Sequence, residues 1–357
     1  MEETNNRKEE EKNKKRGFLY LIGIKNKKLF GLIIALLITI IGLSTSTYAW
    51  FTSNYTVSVQ QIDVHVSSGS GIQISTDAEH WKSMITIDDI TEGYYTGAVN
   101  QVPTAAEQMN PVSTVKAAYA SATSKSEGLH MFKGQIVNDV NDGTMYLDTT
   151  EETDGSNANY IAFDLFLKLD FRASDSPKQV YLTSGTGITA GNPNTHIEYA
   201  GRMGFVIQDS APSSSELSTL RNLKGHEAVL IYEPNYDVHT DNGLANGRDN
   251  YGITGRTSSG NSTPAPYYGV ISEFAYDGVN SSSGTVLGST DDTKFAAVTP
   301  DLKTTIGNSD DFEFYALPVG VTKIRVYMWI EGQDIDCENT ASGGQVQFNL
   351  GFKVNEE

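Results

Sequence analysis

Residues 160–171 read YIAFDLFLKLDF. Ile161, Phe163, Leu165, Leu167, Leu169 and Phe171 occupy alternate positions, with Asp164, Lys168 and Asp170 between them. A period of two marks an extended strand, whose successive side chains leave opposite faces. The stretch therefore predicts a half-buried strand, one face in a core and one in water.

The same alternation recurs on both sides of it. Towards the C-terminus, Ile324, Val326, Met328 and Ile330 alternate with Arg325, Tyr327 and Trp329, so that both faces of this segment are expected to be partly covered. Val346, Phe348, Leu350 and Phe352 alternate with Gln345, Gln347, Asn349 and Gly351. A Gly-rich connection over 339–344 makes these two segments candidates for an antiparallel pair closing a sandwich. Towards the N-terminus, Tyr55, Val57 and Val59 are apolar on one parity and Ile62, Val64 and Val66 on the other. The phase switch at Gln60-Gln61 predicts a β-bulge or a break between two strands.

Further strands are expected at 180–182, 205–207, 228–232 and 312–316. Helix signals are few: 103–109 after a proline start, and 213–223, where Leu217, Leu220 and Leu223 keep helical spacing. Residues 236–310 are rich in Gly, Ser, Asn, Thr and Asp. They read as long loops inserted into a sheet scaffold, with a strand expected at 267–274.

Charge is divided unevenly along the 357 residues. The first 28 carry a net +4, whereas the rest carry −22. So acidic a body excludes nucleic-acid binding through a basic groove and favours solubility. Cys337 is the single cysteine, so no internal disulfide framework exists and stability has to come from a core. A buried thiol is its expected state, with an intermolecular link as the alternative.

Residues 29–43, LFGLIIALLITIIGL, hold no charge and follow Lys25, Lys27 and Lys28. Residues 1–28 thus form a basic, cytoplasmic n-region. Residues 29–49 are either the apolar part of a cleaved signal peptide or, counted through Ala49, a transmembrane helix. Thr47 and Ala49 suit positions −3 and −1 of a signal-peptidase cut before Trp50. In both readings the N-terminus stays inside and residues 50–357 lie outside the cell.

The stretch Thr47-Tyr48-Ala49-Trp50-Phe51-Thr52 resembles the end of export signals handled by the SipW-type signal peptidase. These precede the TasA/camelysin group of Gram-positive surface and biofilm-matrix proteins. The segments 71–77 with Trp81, 232–235, and 329–337 with Gly343-Gly344 also resemble proteins that carry this signal. The resemblance implies a secreted or cell-surface protein of the extracellular matrix, one that partners with signal peptidase, with the membrane through residues 29–49, and with copies of itself in an oligomer or fibre. Camelysin-like proteins are classed as metallopeptidases, but the six histidines lie apart and no HExxH pair occurs. No GxSxG, P-loop or GxGxxG stands at a strand-to-helix turn either.

Two acidic stretches alternate in a way that suits ligation. Asp237, His239 and Asp241 would share one face of an extended segment, where oxygen ligands favour Ca²⁺ and imidazole a transition metal. Asp334, Asp336 and Glu338 repeat the spacing. In both places a solvated polar loop is the plainer reading. Trp81 and Trp329 are platforms for carbohydrate or, more simply, core residues.

These readings predict an all-β fold: an antiparallel β-sandwich of jelly-roll type with long loop insertions, preceded by the N-terminal apolar segment. The expected function is that of a non-catalytic surface or matrix component without a required cofactor, self-assembling by donation of a strand carrying Tyr55, Val57 and Val59. The alternatives are a surface or adhesin module for glycans or peptides, and a camelysin-like metallopeptidase. Cleavage predicts a mature chain beginning at Trp50. N-terminal sequencing of the extracellular fraction checks it, and recovery of full-length chain only, in membranes, selects the anchor instead.

Overall fold

The computed structural model describes residues 57–67, 71–103, 108–114, 128–129, 131–138, 145–152, 159–172, 176–225, 227–234, 236, 238–241, 243, 284–285, 300–305, 307–332, 334, 336–337 and 343–355. All of these belong to the compact unit Tyr48–Glu357. The apolar segment 29–49 with its cleavage residues, Tyr55, and the strand expected at 267–274 lie outside the described residues. Among the described residues no helix is long and apolar enough to cross a membrane.

The fold is all-β. In chain order the strands are β1 (Val57–Val66), β2 (Ile72–Ser75), β3 (Met84–Thr86), β4 (Gln108–Met109), β5 (Ser113–Thr114), β6 (Met131–Asn138), β7 (Met145–Glu152), β8 (Ile161–Leu169) and β9 (Lys178–Leu182). There follow β10 (Gly187–Ala190), β11 (Gly201–Ala211), β12 (Ala228–Glu233), β13 (Gly284–Thr285), β14 (Leu302–Lys303), β15 (Phe312–Leu317), β16 (Gly320–Ile330) and β17 (Gln345–Val354). Among the described residues two short α-helices join them: α1 (Ile87–Glu92), opened by a capping box between Thr86 and Asp89, and α2 (Leu217–Arg221) inside the 213–223 signal.

One sheet has the order β15-β9-β17-β1-β3, with β10 also on β17 and β4 also on β1. A second runs β14-β12-β11-β16-β8-β2, and a smaller one β13-β7-β6-β5. The first two sheets share one core. Val64, Leu350 and Phe352 from the first meet Leu165, Phe205 and Val326 from the second in a single apolar cluster. Phe314 stands edge-on to both Phe205 and Phe352, with ring centroids 5.0 and 5.4 Å apart. This is face-to-face sandwich packing.

The alternation in 57–66 is realised as one bulged strand. Val57 and Val59 are buried, Gln60 and Gln61 exposed, and Ile62, Val64 and Val66 buried again. The pairing register with β17 slips between Val59 and Gln61, so an extra residue restores the apolar side to the core.

Three expectations are corrected. First, β16 and β17 do not pair: they lie in different sheets, and β17 takes β1 as a parallel neighbour. The sheets are therefore mixed, with a second parallel pair between β12 and β14. A short Gly-rich connection is equally able to carry a chain across the sandwich, so it did not dictate a hairpin. Second, β8 is not half-wet. Eight of its nine residues are buried, because the outer face of the second sheet is covered too. Tyr160, Ala162, Val206, Tyr327 and Trp329 pack there with Leu129 and Met131, and Phe166 and Val321 with Tyr95, Leu220 and Leu223. Third, the described end of the segment 103–109 forms strand β4 rather than helix.

The covered outer face holds charges. Asp164 on β8 lies opposite Arg325 on β16 and accepts from its Nε at 2.9 Å. It also accepts from the Tyr95 hydroxyl at 2.6 Å and pairs with Lys323 Nζ at 3.2 Å. Breaking a buried charge set by removing one partner leaves the others uncompensated, at a cost of about 3–5 kcal/mol. Asp164→Ala is expected to lose that much stability, read as a lower urea midpoint at an unchanged denaturant slope.

Candidate functional site

The two alternating acidic stretches of the sequence are brought together at one end of the second sheet. His239 Nδ1 donates to Asp336 Oδ2 at 2.6 Å, and the backbone N–H of Thr240 donates to Asp336 Oδ1 at 2.7 Å. The backbone N–H of Asp336 donates in turn to Asp334 Oδ1 at 2.8 Å. Asp237 and Glu338 lie outside the described residues. Asp241 is exposed while His239 is buried, so the spacing in 237–241 does not put those two side chains in one environment.

Arg202, at the start of β11, is the cation of the group and is fully buried. Its Nη1 donates to the carbonyl oxygens of Tyr199 and Gly201 at 2.9 and 2.8 Å. Its Nη2 donates to Glu233 Oε1 at 2.8 Å and to Asp334 Oδ2. Glu331 closes the cluster by accepting from Trp329 Nε1 at 3.1 Å. Arg202, Glu233, His239, Glu331, Asp334 and Asp336 are each no more than 2% exposed. Cys337 lies beneath them, wholly buried, with burial and then Asp334 holding its thiol well above the usual range.

Four carboxyls thus face one guanidinium and one imidazole. Burial raises Glu233 to about 8 against the pull of Arg202, and raises Asp334 in the same way. His239, Asp334 and Asp336 bring ligand atoms within 4.8 Å of one another. Both oxygens of Asp334 and of Asp336 already accept hydrogen bonds from the chain. What the arrangement does is tie the base of the 236–310 insertion, the end of β12 and the connection after β16 to one arginine. Arg202 and Glu233 were not singled out as site residues from sequence. Their signal is a lone charge at the end of an apolar strand, and its partners are chosen by cross-strand register.

A second feature lies on the first sheet. Parallel pairing sets Gln61 beside Gln347 and Asp63 beside Asn349. On the other side of β17, Thr189 stands beside Gln347 and Gly187 beside Asn349. These positions alternate with the core residues Ile62, Val64, Phe348 and Leu350 and so form two polar rows on the outer face. They line a cleft of about 280 Å³, together with 184–186, the edge of Tyr232, and residues from 304 to 308. Tyr232, its hydroxyl raised to about 12 by burial, bonds Thr304 Oγ1 at 3.0 Å and fixes that wall.

Trp81 and Trp329 differ. Trp329 is core, whereas Trp81 is half-buried beneath Lys168, whose Nζ lies 5.3 Å from its ring centre. The chain matches no family model, no curated protein and no solved structure.

A carboxyl whose folded pKa exceeds its unfolded value contributes stability that is complete below the unfolded value and lost as pH rises through the folded one. For Glu233 the window runs from 4.5 to about 8. The urea midpoint of the wild type is expected to fall across it, and that of Glu233→Gln to fall less. Equal slopes in the two proteins would refute the assignment.

Proposed function

We propose that the chain is a non-catalytic structural component of the cell surface or biofilm matrix, exported by residues 29–49 and joined to its own kind by exchange of its first strand. The observation that supports this most is the seat of β1. Val57 and Val59 are fully buried at home, flanked by β17 on one side and only the two-residue β4 on the other. The Gln60-Gln61 bulge separates them from Ile62, Val64 and Val66. Lifting the first half out at that bulge opens an apolar slot, and the same segment of a second copy fits it with the same contacts. Strand donation is on this reading an exchange rather than the capture of a loose strand.

Because Val57 and Val59 are buried, Val57→Asp with Val59→Asp would unfold the monomer as well as block exchange, and a cross-link is the cleaner test. Cysteines at Ser58 and Gln345, which are register partners on the outer face, lie at the strand spacing of about 4.8 Å that suits a disulfide. The oxidised Ser58→Cys/Gln345→Cys chain is expected to stay monomeric in sedimentation and electron microscopy, and the reduced chain to assemble. Equal assembly of both would refute exchange of this segment. The polar cleft favours a second reading, a surface module that holds a ligand.

A further inference from the structure

From the cleft on the first sheet we infer a binding site for a neutral, polyhydroxylated ligand, an oligosaccharide without acidic groups. The inference deepens the ligand-binding reading and does not depend on export or self-association. Amide side chains offer a donor and an acceptor side by side, which suits hydroxyl groups that both donate and accept. The two rows supply Gln61, Gln347 and Asn349 together with the Asp63 carboxylate. Among the described lining residues Asp63 is the sole charge and no Lys, Arg or His occurs. Phosphate and uronic acid groups would meet repulsion and find no counter-charge. The apolar lining groups Phe348 and Tyr232 are almost wholly buried, so the cleft offers little to a lipid or an apolar peptide. Its size falls near the lower end of the roughly 300–1,000 Å³ of small-molecule pockets.

The Asn349 side chain is half-buried. Its Oδ1 is occluded, and its Nδ2 is the end that lies towards the turn after β9. Beside it, a side chain at Gly187 would meet nothing within 4 Å, and at Gly185 only the Asn349 amide at 3.9 Å. The turn after β9 therefore leaves the Nδ2 of Asn349 open to the cleft as a donor.

The full-length chain is to be titrated calorimetrically with neutral hexose and N-acetylhexosamine oligosaccharides, with a uronic acid oligosaccharide of equal length, and with a polar peptide. Saturable binding of a neutral sugar is expected, with the uronate at least about tenfold weaker. Asn349→Ala should weaken binding by roughly five- to tenfold, the worth of one hydrogen bond from its Nδ2. Gly187→Phe, which fills open space, should abolish it while circular dichroism stays unchanged. The inference is overturned if no neutral sugar binds, if the uronate binds equally or better, if the peptide binds in place of the sugars, or if both variants bind as the wild type does.

Discussion

The parallel pairing of β1 with β17 is the constraint around which the first sheet is arranged. It brings the first and last described strands side by side, with the rest of the unit between them in sequence. Parallel neighbours cannot be joined by a tight turn, so the pair is held by contacts far apart in sequence. Each member brings one apolar side. Ile62, Val64 and Val66 on β1, and Val346, Phe348, Leu350 and Phe352 on β17, enter the same core. Burial of each such side chain is worth about 1.5–3 kcal/mol. A slip of one residue would turn either row to water, so the bulge at Gln60 is what lets the whole of β1 keep the register.

The second sheet solves a different problem. Its central strands are covered on both faces, yet they carry Asp164, Lys323, Arg325 and Arg202. An isolated charge in such a place would be costly. Each is paired instead with a charge on another strand or on a connection. Asp164 and Arg325 sit at one register position of β8 and β16. Arg202 gathers Glu233 and Asp334 from the ends of two further elements. Burial of these charges therefore constrains which strands neighbour which, something apolar contacts do less selectively.

Much of the strand content was legible because alternation is local. The runs at 57–66, 161–169, 320–330 and 345–354 could be read residue by residue, including the phase switch. Partner choice was not legible. Nothing in 345–353 says that its neighbour is β1 rather than β16, since both offer the same apolar parity. The wet face assigned to β8 failed for a related reason. Asp164 reads as solvent-facing until a second layer, containing Tyr95, is known to lie above it, whereas Lys168 is the one residue of β8 that is not buried. At the charge cluster, His239, Asp334 and Asp336 stood out by spacing, whereas Arg202 and Glu233 became visible only through the register of β11 and β12. The polar rows of the cleft were present as the residues between the apolar ones of β17.

Those intervening residues bear on function more than the core does. The core requires only that alternate positions be apolar. The other parity is free, and a strand in contact with water could carry lysine and glutamate there, as soluble surfaces ordinarily do. On β1 and β17 five of these positions are amides, Gln60, Gln61, Gln345, Gln347 and Asn349, beside the charged Asp63 and Lys353, in a body whose net charge is strongly negative. Gln60 bonds both Gln345 and Gln347 across the strands. Such an amide ladder holds the parallel pair from outside and presents a hydrogen-bonding surface of low charge within an acidic one. Strand exchange and ligand binding would draw on the same two strands. The cleft touches β1 only past the bulge, at Gln61 and Asp63, so an occupant would hold the half that stays at home and leave Val57 and Val59 free to exchange.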